Sequence, residues 1–122
     1  MKELTKAEEQ VMQILWNLKK GFIKDILQEF DPPRPAYTTV STIVRILETK
    51  GFIAHESFGK THRYYPLVER EAYKEFITSG LLKEYFNGSV SNLVSHFSKR
   101  EQLSAADVEA LLKIINQQQK AK

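Results

Sequence analysis

The chain has 122 residues, 42% hydrophobic and 11% aromatic, with 18 Lys and Arg against 15 Asp and Glu for a net charge of +3. This composition excludes a disordered tail, and the length suits one compact domain or two small ones. Cysteine is absent, which excludes structural disulfides, thiolate nucleophiles, iron–sulfur clusters and cysteine-based zinc sites.

Thr5 followed three residues later by Glu8 has the form of a capping box, with Leu4 in front as a staple. Ala7, Val11, Ile14, Leu15 and Leu18 then recur at helical spacing, with Trp16 beside them. Lys19, Lys20 and Gly21 are expected to end this helix, Gly21 as its left-handed cap. A short helix over about 23–30 follows, with Ile26, Leu27 and Phe30 on one face. The segment Asp31-Pro32-Pro33-Arg34-Pro35 cannot continue it, because proline removes donors and forces its predecessor into extended geometry. A third helix is expected from about Thr38 to Lys50, with Val40, Ile43, Val44 and Leu47 as its apolar stripe and Gly51 as its stop. Two β-prone runs, 52–57 and 61–66, flank Phe58-Gly59-Lys60 and predict an antiparallel hairpin.

From 67 onward the pattern is helical throughout. A helix over about 69–86 should turn Tyr73, Phe76, Ile77, Leu81 and Tyr85 inward. Asn87-Gly88-Ser89 breaks it, and Ser89 can cap a short helix carrying Val90, Leu93, Val94 and Phe97. Ser104 with Asp107 opens a last helix bearing Val108, Leu111, Leu112 and Ile115. The chain is therefore mainly α with one small β-hairpin, divided at Tyr65–Pro66 into 1–66 and 67–122. Three short helices with such wide apolar faces cannot cover them alone, which implies a partner surface.

Catalysis has little support. The sequence holds no glycine-rich phosphate loop, nucleophile elbow or HExxH pair. Glu8–Glu9 and Glu69–Glu71 sit in first helical turns, where acids suit the helix dipole. His55, His62 and His96 are scattered. His55 and His62 can face each other if the hairpin register allows, but two histidines make an incomplete zinc site. No enzyme, metal or cofactor is expected. No apolar run is long enough to span a membrane, and the first twenty residues lack the apolar block of a signal peptide. A cytoplasmic protein without membrane insertion is the expectation.

The third helix carries a stronger signal. Its non-apolar positions include Tyr37, Thr38, Thr39, Ser41, Thr42 and Arg45, where a solvated face would favour Lys, Glu, Gln and Arg. Short hydroxyl side chains let a helix N-terminus approach phosphates and base edges, and Arg45 can reach a guanine edge or a phosphate. The plainer alternative makes Thr38 and Thr39 a helix cap and the rest a solvated face. On the hairpin, Lys60, His62 and Arg63 interleave with Phe58 and Tyr64. Residues 34–66 hold five basic and two acidic residues, while the remainder is balanced, so the whole +3 can be placed there. A basic hairpin beside a hydroxyl-rich helix suits double-stranded DNA. The competing function is a protein-interaction module that holds another protein through Phe58, Tyr64 and the hydroxyl face and never touches DNA.

The order helix, helix, helix, hairpin is that of a winged helix-turn-helix domain. In its residues the chain resembles the penicillinase and methicillin-resistance repressors and the related copper-responsive repressors. The matching segments are LTKAEEQVMQILW at 4–16, TTVSTIVRILETKGFI at 38–53, GKTHRYYPLV at 59–68, NGSVSNLVSHF at 87–97 and LSAADVEALLKII at 103–115. The resemblance implies a homodimer held by the three C-terminal helices, with each winged domain reading one half of a palindromic operator. It places base reading on Tyr37, Thr38, Thr39, Ser41, Thr42 and Arg45, while Lys60 and Arg63 of the basic hairpin are expected on phosphates from their charge. Thr38 stands where many relatives have lysine, and Ser41 often replaces a longer polar residue. The copper-responsive branch carries C-terminal cysteines, which this chain lacks. In the β-lactam branch a membrane-bound metalloprotease sensor triggers cleavage, and the matching bond here is His96–Phe97, with His96 in place of the usual Asn.

Overall fold

A computed structural model describes residues 1–99, 104–107, 109–110 and 113. Val108, Leu111, Leu112 and Ile115 lie outside the described residues. The elements in chain order are α1 (Lys6–Leu18), α2 (Ile23–Gln28), α3 (Tyr37–Thr49), β1 (Ile53–Phe58), β2 (Thr61–Pro66), α4 (Arg70–Tyr85) and α5 (Val90–Lys99). The architecture is mainly helical with one two-stranded antiparallel sheet. Among the described residues, no helix is long and apolar enough to cross a membrane. Two compact units are distinguished, Met1–Ile77 and Thr78–Lys122.

The first unit begins with the expected capping box. The Thr5 N–H donates to Glu8 Oε1 at 2.9 Å and the Glu8 N–H donates to Thr5 Oγ1 at 3.2 Å. Two orphan donors of the helix start are thereby satisfied. The same Glu8 carboxylate accepts from Lys50 Nζ at 2.7 Å, fastening the start of α1 to the end of α3. Burial alone would raise the Glu8 pKa, but the Lys50 hydrogen bond, the Thr5 contacts and the Lys50 charge outweigh it and hold it below the usual carboxylate range.

At the other end of α1, Gly21 does not supply the left-handed cap. Lys19 follows the last helical turn at positive φ instead, with φ 71° and ψ −42°, and Gly21 is needed elsewhere. It forms an antiparallel bridge with Tyr64, exchanging hydrogen bonds of 2.9 and 2.8 Å. A Cβ at Gly21 would lie 3.3 Å from Leu18 Cδ1. This bridge ties the α1–α2 connection to β2. The register of β1 on β2 pairs His55 with Tyr64 and Ser57 with His62, with Gly59 at φ 62° in the connecting turn.

Apolar residues from α1, α2, α3, the hairpin and α4 close the core of this unit. They include Val11, Met12 and Leu15 of α1, Ile26 of α2, Val40, Val44 and Leu47 of α3, and Phe52 and Ile53 at the start of the hairpin. Tyr73 of α4 belongs to this core too, 4% exposed. Its hydroxyl accepts the Leu4 N–H at 2.8 Å, and its ring lies 5.7 Å from Phe52 and 6.0 Å from Trp16. The compact unit therefore runs past the Tyr65–Pro66 join into α4. Tyr73, expected among the dimerisation residues, has its side chain spent inside the winged fold, with Phe76 and Ile77 packed against the same core.

In the second unit, Asn87 at φ 52° and Gly88 at φ 75° reverse the chain after α4. The Gly88 N–H returns to Leu82 O at 2.7 Å, satisfying a carbonyl at the helix end. Ser89 Oγ accepts the Asn92 N–H at 3.1 Å and caps α5 as expected. Ser104 and Asp107 exchange hydrogen bonds of 3.3 and 3.1 Å where the next helical residues begin.

Candidate nucleic-acid interface

The third helix presents two flanks because its exposed positions follow the helical period. Tyr37, Ser41 and Arg45 stand four apart and form one ridge, with Thr38, Thr42 and Thr49 beside it. Ala36, not Thr38 or Thr39, occupies the N-cap and offers no side-chain hydrogen bond. Thr38 and Thr39 are thus exposed first-turn residues, and the capping alternative for them falls away. Thr42 Oγ1 donates to the Thr38 carbonyl at 2.9 Å, which satisfies its hydroxyl locally. Thr39 lies on the other flank, with Ile43, Phe30 and Pro33 lining a separate hollow of about 320 Å³ against α1.

Beside the ridge opens a cleft of about 420 Å³ between α2, α3 and the hairpin. Tyr37, Ser41 and Arg45 form one wall, Phe22, Ile23 and Lys24 another, and Lys60, Thr61, His62 and Tyr64 the third. No carboxylate is among these lining residues. Among the described residues, Lys24, Arg45 and Lys60 form none of the ion pairs that occupy Lys20, Lys50 and Arg63. The Tyr64 hydroxyl is pushed up by burial and by the charges of Glu48 and Tyr37, against an opposing pull from Arg45, so it stays neutral at physiological pH.

Of the residues expected to touch DNA, the cleft therefore gathers Tyr37, Ser41, Arg45 and Lys60. It does not gather Arg63. Strand alternation sends His62 and Tyr64 to one face of the hairpin and Arg63 to the other. There Arg63 lies 3.5 Å from Glu56 and 4.7 Å from the Phe58 ring centre, while Lys20 holds the same carboxylate at 3.2 Å. Lys24, which sequence reasoning missed, is the cation α2 adds to the cleft. Its signal was slight, a single exposed lysine in the turn that the Phe22–Asp25 hydrogen bond opens at 2.9 Å.

The two hairpin histidines meet diagonally across the strands, their rings stacked 4.0 Å apart at an interplanar angle of 4°. His55 Nδ1 lies 2.5 Å from Glu48 Oε2, which pins the hairpin to the second half of α3. Among the described residues, no three His, Asp or Glu side chains converge on a metal-sized site. In the second unit, Leu81 is 42% exposed and Leu93, Val94 and Phe97 are half-buried, all without the deep burial of a closed core. His96 is exposed, its ring 5.6 Å from Phe97 and 5.7 Å from Phe86.

Sequence comparison covers nearly the whole chain. Residues 4–117 match the profile of the penicillinase repressor family. The methicillin resistance regulatory protein MecI of Mammaliicoccus sciuri is 31% identical over 115 residues, 93% of this chain and 94% of its own. The protein of that name from Staphylococcus aureus strain N315 is 30% identical over the same shares. The penicillinase repressor of Bacillus licheniformis is 23% identical over 98% of this chain and 94% of its own. With its winged unit and its C-terminal helices both inside these matches, the chain belongs to the penicillinase repressor family.

Proposed function

We propose that this protein is a transcriptional repressor that acts as a homodimer on an inverted-repeat operator in double-stranded DNA. One observation carries the reading: a hydroxyl-rich helix ridge ending in Arg45 stands beside Lys24 and Lys60, and no carboxylate lines the cleft these three cations share. Unpaired charges of one sign at a concave surface set up the potential that attracts a polyanion, and short hydroxyls permit close approach to it. The regulatory and repressor names of its relatives support the same reading. Arg45 reads a base edge or a phosphate, Tyr37, Thr38, Ser41 and Thr42 line the approach, Thr39 stands on the other flank of α3, and Lys60 neutralises phosphate.

Exposed Leu81 and half-buried Leu93, Val94 and Phe97 supply an apolar surface for the second copy. Two tethered winged units gain affinity because the second binds at high effective concentration. Cutting the His96–Phe97 bond in α5, triggered by a membrane metalloprotease sensor, would remove that tether and relieve repression. The bond lies within a helix, so α5 must open locally before a protease can reach it.

The test selects genomic fragments with the purified full chain and repeats the binding across a salt series. Enrichment of an inverted repeat with a steep salt slope is expected. A lack of enrichment, with flat binding at low salt, overturns the repressor. A monomer mass by gel filtration at micromolar concentration overturns the dimer.

A further inference from the structure

The cleft between α2, α3 and the hairpin is more than a phosphate contact needs. A phosphate asks for cations and N–H donors, yet this cleft also has an apolar and aromatic interior. Ile23 and Tyr64 are buried beneath it, and Phe22, Tyr37 and His62 stand around it. The interior exists because the α3 ridge runs large, small, large: Ser41 leaves a gap between Tyr37 and Arg45 that a longer side chain would fill. Its volume, about 420 Å³, falls in the range of small-molecule sites, which are mostly apolar with a few polar groups fixing orientation.

We propose that this cleft binds a small planar aromatic carboxylate, its ring among Phe22, Tyr37 and Tyr64 and its carboxylate toward Arg45, Lys24 and Lys60. The absence of any lining carboxylate favours the negative charge, and Arg45 offers a planar fork matched to a carboxylate. Because Arg45 and Lys60 are also the groups assigned to DNA, ligand and DNA exclude one another. This makes the cleft an effector site that lifts repression without cutting the chain, a consequence that rests on the DNA-binding reading above.

The experiment titrates the isotope-labelled full-length protein, free of DNA, with 2-naphthoate, with uncharged 2-naphthylmethanol and with inorganic phosphate, following backbone amide shifts. Naphthoate should shift the amides of Ile23, Ser41 and Thr61 with a dissociation constant of about 1 mM or below, the range expected of a fragment. The alcohol and phosphate should each bind at least about tenfold more weakly. Lys24→Ala, an exposed change in α2, should weaken naphthoate about tenfold, and Ser41→Phe should abolish its binding by filling the gap. Absence of these shifts, equal binding of the alcohol, or equal binding of phosphate overturns the site. In a second arm naphthoate is added to the protein on its selected operator. Release of the DNA supports mutual exclusion, and retention of both overturns it. If the protein binds no DNA at all, the repressor reading fails, and the DNA-free titration alone decides the site.

Discussion

Six cations of the winged unit fall into two sets that differ in what they face. Lys20, Lys50 and Arg63 each lie within 4.0 Å of a carboxylate, on Glu56, Glu8 and Glu56 respectively. Lys24, Arg45 and Lys60 line a cleft without one. Formal charge is equal in the two sets, but the field each projects is not, because a paired cation is cancelled within a few ångströms. The first set is held by ion pairs within the winged unit, and on the proposed reading the second is left for a ligand. Substitutions in the two sets should therefore separate cleanly, moving stability in one and binding in the other.

Arg45→Ala should show the largest effect. Loss of a bidentate base contact costs about 1–3 kcal/mol, roughly 5- to 150-fold in operator affinity. As an exposed position without an ion pair, it should change the unfolding free energy by less than about 0.5 kcal/mol. Operator titration alongside urea unfolding checks both halves. A large stability loss would place Arg45 in the structural set and dissolve the distinction.

Glu8→Gln tests the opposite corner. Its carboxylate is 6% exposed and holds both Lys50 and the Thr5 N–H, so removing its charge should cost about 1 kcal/mol of stability at neutral pH. Because the folded-state pKa of Glu8 is depressed, its contribution is present above the unfolded value and is lost as pH falls through the folded one. The gap between the wild type and Glu8→Gln should thus narrow as pH falls below the ordinary carboxylate range. Denaturant unfolding at pH 7 and pH 3 measures this, and an equal gap at both pH values would contradict it. DNA affinity of the folded variant should be unchanged.

Much of the winged unit was legible in the sequence, and the failures have a common physical cause. Thr5 and Glu8 announce the first helix because a capping box is local, and the α3 stripe announces its core face because the helical period is local. Gly21 was misread as a cap because its requirement comes from Tyr64, far along the chain. Tyr73 shares helical spacing with Ile77 and Leu81, but spacing shows a face without showing what covers it, and Leu4, Trp16 and Phe52 cover Tyr73. Within the candidate site, Tyr37, Ser41, Arg45 and Lys60 were found from residue type and period. Lys24 was not, because only the packing of α2 beside α3 brings it there. Arg63 was taken as equivalent to Lys60 because a basic count ignores strand alternation, and the neutralising Glu56 becomes visible only through the register.

Lys60→Ala should give a smaller effect of a different kind. One phosphate contact fewer lowers the salt slope of binding by about one and weakens all sequences alike. Arg63→Ala should leave that slope nearly unchanged, since Glu56 already cancels its charge. Equal slopes for the two variants would show that the hairpin presents both its faces to DNA.

The smallest effect, and the sharpest test of the pairing argument, belongs to Glu56→Gln. The Lys20 hydrogen bond holds the Glu56 pKa below the usual range despite partial desolvation, with the charges of Lys20 and Arg63 adding to it. Neutralising this carboxylate releases two cations at once, on the hairpin face turned away from the cleft. Only their longer-range field then reaches bound DNA, and at physiological salt that field decays over about 8 Å. The salt slope on non-specific DNA should therefore rise by less than one, with operator discrimination unaltered. A rise of about two would mean that Lys20 and Arg63 both reach phosphate once freed. DNA would then lie across the Glu56 face as well, and the carboxylate would act as a restraint on affinity rather than as a fastening of the fold.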